Sequence, residues 1–234
     1  MLNHAPTGLM RLAAEDILSL AERAYRRLRD AIVDGSLPGG ERVSERSLAH
    51  SLGISAQPVR EALQRLEAEG MVVTLPRRGT LVAEFGPERL AEMGLIRVAL
   101  EGTAAGLAAR RADPANLAEL HRRLRAMRPL AQDEIPRLAE ANEDFHEVIH
   151  RMSGNAFLVR SLEALRAYDH FGRVRALRST PQEPRLAWRE HAGILAALRR
   201  RDPVQAEARM RAHVQRSLAA SGILEALEQE GGAA

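Results

Sequence analysis

The chain has 234 residues, 45% of them apolar, and a formal net charge of +3. This length suffices for one small and one larger domain, each with its own core. It contains no cysteine, so disulfides and thiolate metal sites are excluded. The absence of any run of 18 apolar residues excludes a membrane span, and the first 16 residues lack the pattern of a signal peptide, so we expect a cytoplasmic location.

The first predicted domain covers residues 17–84 and follows a flexible tail of residues 1–16. Its central segment has the pattern of two short helices joined by a turn. Ser44 and Ser55 are typical N-caps, and Gly53 suits the turn. Pro58 lies in the first turn of the second helix, where a missing N–H costs little. Such a helix–turn–helix presents the start of its second helix to the major groove of DNA.

Two strands are predicted at residues 71–75 and 80–84, on either side of the basic turn at residues 76–79. A helix, a helix–turn–helix and a hairpin in this order predict a winged helix. Gln57 and Arg60 match the major-groove edges of adenine and guanine, and Arg46 is placed to reach a phosphate or guanine. The alternative is that these side chains are solvated surface groups. The expected DNA-binding residues are Arg46, Ser55, Gln57, Arg60, Arg77, Arg78 and Gly79.

The second predicted domain, residues 85–229, is helical nearly throughout. Breaks with turn chemistry divide it into six helices, and short links between helices are typical of an antiparallel bundle. The fold class is therefore mainly α, a winged helix–turn–helix followed by an antiparallel all-α bundle. The predicted helices are 88–112, 114–127, 133–153, 155–178, 183–201 and 203–227.

Three histidines on three of these helices are predicted to point towards the interior of the bundle. Helical geometry places His146 beside an apolar stripe, with Asn142 one turn before it, and places His191 and His213 on inward faces. Imidazole binds first-row divalent metals well, whereas the alternative is a set of core histidines that hydrogen-bond to neighbours. His150 lies about 120° from the apolar stripe and is expected at the surface.

A charged pair, Arg97 and Glu101, lies on a face of small residues that is expected to be buried. One interpretation is an internal ion pair between residues four apart, which stabilises the helix in the bundle. The other is that Arg97 faces a cavity and binds an effector carboxylate, with Glu101 orienting it. Arg173 and Arg175 are further candidates for the same role.

Residues from about 25 to 84 resemble the DNA-binding domain of GntR-type bacterial transcription regulators. The resemblance rests on residues 34–43 and on the segment Pro58-Val59-Arg60-Glu61-Ala62-Leu63-Gln64-Arg65-Leu66, which is similar to the recognition-helix signature of that family. The family usually has arginine where this chain has Ala56, so one contact to a base or a phosphate is expected to be missing.

The second half resembles the effector domain, called FCD, of the FadR branch of that family. Residues 142–146 are similar to its Asp-x-x-Phe-His motif, Gly154-Asn155 to its Gly-Asn turn, and His191 and His213 to its last two histidines. The predicted count of six helices resembles the VanR-type subgroup. The resemblance implies a divalent metal such as zinc or nickel, held by Asn142, His146, His191 and His213. It also implies a small organic-acid effector, bound by Arg97, Glu101 and Arg175.

Asn142 departs from the family pattern, because a neutral amide is a poorer ligand than the carboxylate of aspartate. The resemblance implies a transcription regulator and not an enzyme, a homodimeric repressor that binds palindromic operator DNA. The competing hypothesis is a histidine-ligated metallohydrolase fused to a winged helix. It requires a general base beside the metal, for which Glu143, Glu147 and Glu190 are the nearby acids. An architectural DNA-binding protein would leave the inward histidines unexplained.

Overall fold

A computed structural model of the chain describes residues 19–77, 79–84, 87–128 and 134–223. Within these ranges the chain forms a three-stranded sheet and ten helices, in the order expected for a winged helix followed by a helical bundle. The elements are α1 (Leu20–Asp34), β1 (Arg42–Val43), α2 (Glu45–Leu52), α3 (Ala56–Ala68), β2 (Val72–Leu75), β3 (Gly79–Val82), α4 (Pro87–Arg110), α5 (Pro114–Ala126), α6 (Ile135–Met152), α7 (Ala156–Ala164), α8 (Arg166–Ser179), α9 (Glu183–Arg199) and α10 (Pro203–Ala220).

The helix–turn–helix comprises α2 and α3, and its local chemistry follows the sequence. The Ser44 hydroxyl accepts a hydrogen bond from the Ser47 N–H and so caps α2. Gly53 adopts a positive φ of 66° in the turn, a conformation that glycine tolerates best. Ser55 occupies the N-cap position of α3, but its side chain makes no capping hydrogen bond, so this part of the prediction was wrong.

The wing is an antiparallel sheet in the order β1-β3-β2, in which Thr74 lies opposite Thr80 and Leu75 opposite Gly79. The short strand β1 was not predicted, because two residues carry too little alternation to be recognised. Tyr25, Val59, Leu66 and Met71 are almost fully buried and form the centre of this domain.

The helical domain contains the larger core, in which Phe145, Ile149, Ile194 and Leu198 are fully buried. Helix α4 packs along α10, and Gly94 permits a close approach, since a Cβ atom there would lie 2.7 Å from the Leu218 methyl groups. Among the described residues, no helix is both long and apolar enough to cross a membrane.

The prediction of six helices was wrong, because residues 155–178 form two helices, α7 and α8, separated at Leu165. The Leu165 N–H bonds to the Leu162 carbonyl three residues back, which tightens the turn and ends α7 without glycine or proline. The helix predicted at 203–227 ends at Ala220, where Ser221 and Gly222 form a turn with a positive φ of 70° at the glycine. The remainder of that prediction, like the N-terminal tail, lies outside the described residues.

Candidate functional site

The three predicted histidines meet in the interior of the helical domain. His146 of α6, His191 of α9 and His213 of α10 are at most 5% exposed, and each offers a ligand atom within 4.8 Å of the others. The Nε2 atoms of His146 and His191 are 3.0 Å apart. Two nitrogens that bind one ion at about 2.1 Å in adjacent positions have such a separation. The cluster therefore has the dimensions of a metal centre.

Two carboxylates lie behind these rings. Glu101 Oε2 is 3.1 Å from His146 Nδ1, and Glu190 Oε2 is 2.7 Å from His213 Nδ1. When a carboxylate accepts the Nδ1–H, the lone pair of the same ring is on Nε2, which is the usual arrangement of metal-binding histidines. Glu190 was predicted only as an acid near the site, because its contact with His213 depends on the packing of α9 against α10.

The buried environment keeps the histidines in the form that binds metal. Burial lowers the pKa of His146 to about 4, although the Glu101 carboxylate opposes this change. Burial also lowers the pKa of His191 to well below its usual value, and His213 and His146 act in the same direction. Both rings are therefore neutral at pH 7, as coordination requires.

Asn142 occupies the position of the aspartate in the motif that residues 142–146 resemble. It is 3% exposed on α6, one turn before His146, and its Oδ1 atom has no hydrogen-bond partner among the described residues. A buried carbonyl oxygen without a donor is costly unless a cation or a water binds it. Imidazole nitrogens and an amide oxygen are ligand types that first-row divalent ions accept, so Asn142 is a candidate fourth ligand beside the three histidines.

The prediction that His150 lies at the surface was wrong. Its side chain is 15% exposed, and its Nε2 atom is 2.9 Å from Glu101 Oε2. Helix α6 packs against α4, α5 and α8, so a residue on the flank of its apolar stripe is still enclosed. Glu101, His146 and His150 form a second group whose ligand atoms lie within 4.8 Å of one another.

Arg97 and Glu101 form the ion pair that the first interpretation predicted, with Arg97 Nη2 3.2 Å from Glu101 Oε1. Burial raises the pKa of Glu101, but His150 and His146 outweigh this and hold that pKa well below its usual value. Arg97 also contacts Asp169, with Nη1 2.5 Å from Oδ1. The same residues line a cleft that reaches His146, so both interpretations of Arg97 agree with its position.

Arg175, the third predicted effector residue, does not reach this cleft. It is exposed, and its guanidinium lies 5.9 Å from the Phe171 ring. Arg173 is the arginine of α8 that points inwards, at 5% exposure, and its Nη2 is 2.6 Å from Asp169 Oδ2. Asp169 and Arg173 are four residues apart and therefore share a helix face.

Five of the predicted DNA-binding residues are exposed, as expected. Arg46, Ser55, Gln57 and Arg60 lie at the surface around the start of α3, and Arg77 at the wing tip has a positive φ of 64°. Gly79 is half-buried, whereas Arg78 lies outside the described residues. Gln57 donates to Glu61, with 3.0 Å between Nε2 and Oε1.

A buried charge cluster connects the two domains. Arg29 of α1 is 2% exposed, and its Nη1 lies 3.2 Å from Oε2 of Glu143 on α6. Glu143 also accepts a hydrogen bond from Arg166 Nε. Burial raises the pKa of Glu143, but His170, Arg166 and Arg29 outweigh it and keep the carboxyl ionised. Glu143 directly follows Asn142, so one helix holds both the unpartnered Asn142 oxygen and the contact with the DNA-binding domain.

Comparison with known proteins agrees with this architecture. Residues 20–82 match the gntR family of bacterial regulatory proteins, and residues 92–216 match the FCD domain. A Paenarthrobacter nicotinovorans protein, named a probable D-xylose utilization operon transcriptional repressor, is 34% identical over 200 residues, 83% of this chain and 87% of that protein. The HTH-type transcriptional repressor RspR of Escherichia coli (strain K12) is 27% identical over 83% of this chain and 85% of its own length.

The solved structure of E. coli McbR/YncC is similar over both domains, covering 88% of this chain and 98% of its own, with 27% sequence identity and a TM-score of 0.70. The family and these relatives are transcription regulators and not enzymes, so they lend no support to the metallohydrolase hypothesis. With both domains matched in this order, the chain belongs to the GntR family of bacterial transcription regulators, with an N-terminal winged helix–turn–helix and a C-terminal FCD domain.

Proposed function

We propose that this regulator is a repressor whose operator binding is controlled by a small organic acid in the FCD domain, beside a divalent metal. The observation that carries this proposal is the cluster of three buried imidazoles, one of which, His146, lines a cleft together with Arg97. Two relatives, RspR and the probable D-xylose operon repressor, are named as repressors, which supports the direction of control.

The residues that would hold the metal are Asn142, His146, His191 and His213. A bound divalent ion would supply positive charge and open positions that a carboxylate ligand can occupy. Arg97 and Arg166 are the arginines that line the cleft, among five carboxylates, and Asp169 and Glu101 already partner the Arg97 guanidinium. The effector role of Arg97 therefore requires an acid that bridges the metal and the outer part of the guanidinium.

Helix α6 provides the route from this site to the DNA-binding domain. Asn142 and His146 face the metal site, and Glu143 between them pairs with Arg29 of α1. Because the pair is buried, a displacement of α6 on effector binding must either carry α1 along or break the contact. Two packed arrangements of this kind can change the position of the recognition helices relative to the operator.

A homodimer completes the proposal, since two winged helices are needed to read both halves of a palindrome. Helices α4 and α7 carry three large apolar side chains that are at least half exposed, Leu95, Ile96 and Phe157. Apolar side chains of this size are usually buried in an interface when they are clustered. We assign the dimer contact to these two helices.

The test is release of operator DNA by small acids, measured by fluorescence anisotropy with and without a chelator. Lactate, citrate and other small carboxylates form the panel, and hexose sugars are the uncharged control. We expect at least one acid to release the operator only when metal is present, and expect Arg97→Gln to weaken that response. Release by a sugar, or release unaffected by both chelator and Arg97→Gln, would contradict the proposal.

A further inference from the structure

The recognition-helix residue Arg60 is held by an acidic residue from the preceding helix. Glu45, the first residue of α2, approaches Arg60 of α3 through both carboxylate oxygens, at 3.0 Å from Nε and 2.8 Å from Nη2. The two residues are fifteen positions apart, so the contact depends on the fold of the helix–turn–helix. The guanidinium is therefore held in one orientation on the surface that faces DNA.

Folding stability does not explain this contact. The Arg60 side chain is 52% exposed and the Glu45 side chain 39% exposed, and ion pairs at such positions contribute little to the free energy of unfolding. An acidic group on a DNA-facing surface also repels phosphates. Because the ion pair adds little stability and the Glu45 charge weakens binding to DNA phosphates, its presence on this surface needs a different explanation.

The geometry of the guanidinium supplies that reason. Arginine has five N–H donors on two edges, and Glu45 occupies the edge formed by Nε and Nη2. The outer edge is formed by one Nη1 proton and the second Nη2 proton, and Glu45 leaves it unoccupied on a side chain that is 52% exposed. This outer edge has two parallel donors, the arrangement that matches O6 and N7 of guanine.

Glu45 is itself firmly placed. Ser44 caps α2 through the Ser47 N–H, and the buried Leu48 and Val59 hold α2 against α3. The backbone that carries Glu45 is therefore fixed relative to α3, and the ion pair limits the arginine, which otherwise has four rotatable side-chain torsions to restrict on binding.

We propose that Glu45 is a positioning residue for DNA recognition, which orients Arg60 so that its outer edge reads one guanine. Glu45 increases discrimination between bases while it lowers affinity for DNA in general, because its charge repels phosphates. Higher base discrimination with lower general affinity distinguishes Glu45 from a residue that only stabilises the domain. Loss of such a residue would weaken binding to all DNA sequences equally.

The experiment begins with selection of the operator from random duplex DNA by the full-length protein. Glu45→Gln, Arg60→Ala and the control Glu41→Gln are then compared on the selected site, on versions with each guanine replaced, and on unrelated duplex DNA. Glu41 is an exposed acid of the same domain, so its variant measures the effect of one lost charge alone. Circular dichroism confirms that each variant is folded.

We expect Glu45→Gln to reduce discrimination at one guanine on the order of tenfold, at the same position that Arg60→Ala affects. Its affinity for unrelated DNA should equal or exceed that of the wild type, as for Glu41→Gln. Full discrimination in Glu45→Gln, an equal loss on all sequences, or the absence of any guanine that depends on Arg60 would each overturn the proposal.

Discussion

Arg29 and Glu143 form a buried ion pair between the DNA-binding domain and the effector domain, with Nη1 and Oε2 3.2 Å apart. Their side chains are only 3% and 10% exposed. Removing one partner of such a pair leaves an uncompensated charge in a poorly solvated position. The pair therefore connects the two domains energetically, and the position of Glu143 beside Asn142 relates that connection to the proposed metal site.

Glu143→Gln should lower the free energy of unfolding by about 3–5 kcal/mol, because Arg29 loses its buried partner. Glu140 on the same helix is the matched control, since its side chain is 39% exposed and lies 3.7 Å from Arg29. Glu140→Gln should cost less than about 1 kcal/mol. Urea denaturation followed by circular dichroism measures both, and equal effects of the two variants would show that the buried pair has no special role.

Acid should destabilise the metal-free protein from about pH 6.5 downwards. The folded-state pKa is about 4 for His146 and well below its usual value for His191. Between pH 6.5 and 4 the unfolded chain therefore binds protons that the folded protein does not. A group with a lowered folded-state pKa contributes stability above its unfolded pKa and loses it as the pH falls. The free energy of unfolding should decrease by about 1.4 kcal/mol per pH unit for each histidine.

This pH dependence can be measured by urea denaturation of chelator-treated protein at pH 7, 5.5 and 4.5. His191→Gln should reduce the slope, since one of the buried imidazoles is removed. The exposed His50 provides the control, and His50→Gln should leave the slope unchanged. A slope that is the same in all three proteins would show that burial of His191 does not control the acid response.

The metal site should depend on its carboxylates as well as on its histidines. His213→Ala should remove the metal, and Glu190→Gln should weaken metal affinity by about 10–100-fold, because His213 loses the partner that orients it. Asn142→Asp should tighten binding, since it places a charged oxygen beside the ion. Elemental analysis after dialysis and competition with a chelator measure these effects. If wild type and Asn142→Asp both hold no metal, the cluster is a set of hydrogen-bonding histidines.

The proposed dimer contact predicts a change in oligomeric state. Replacing Leu95 and Phe157 together by glutamate should produce a monomer, because charges would be buried in the contact between α4 and α7. Val204 on α10 is 72% exposed and serves as the control. Sedimentation velocity of the wild type and Val204→Glu should show dimers, and a dimer in the double variant would place the contact elsewhere.

Local chemistry in the sequence was sufficient to predict most of the helix boundaries. The predicted helix starts at residues 45, 114 and 203 each follow a capping side chain, that of Ser44, Asp113 or Asp202. The side-chain oxygen accepts hydrogen bonds from the first free N–H groups of the helix. The break at Leu165 could not be predicted in this way, because it involves neither glycine nor proline. It depends on how α7 and α8 pack against the rest of the bundle.

The inward direction of His146, His191 and His213 also follows from the sequence, because the helical period relates each residue to the apolar stripe of its own helix. Which groups meet these histidines does not follow from that period. Glu190 contacts His213, and His150 is enclosed beside Glu101. Glu143 points to the DNA-binding domain, where it contacts Arg29. These contacts join residues of different helices, so only the packing of the helices against one another decides them.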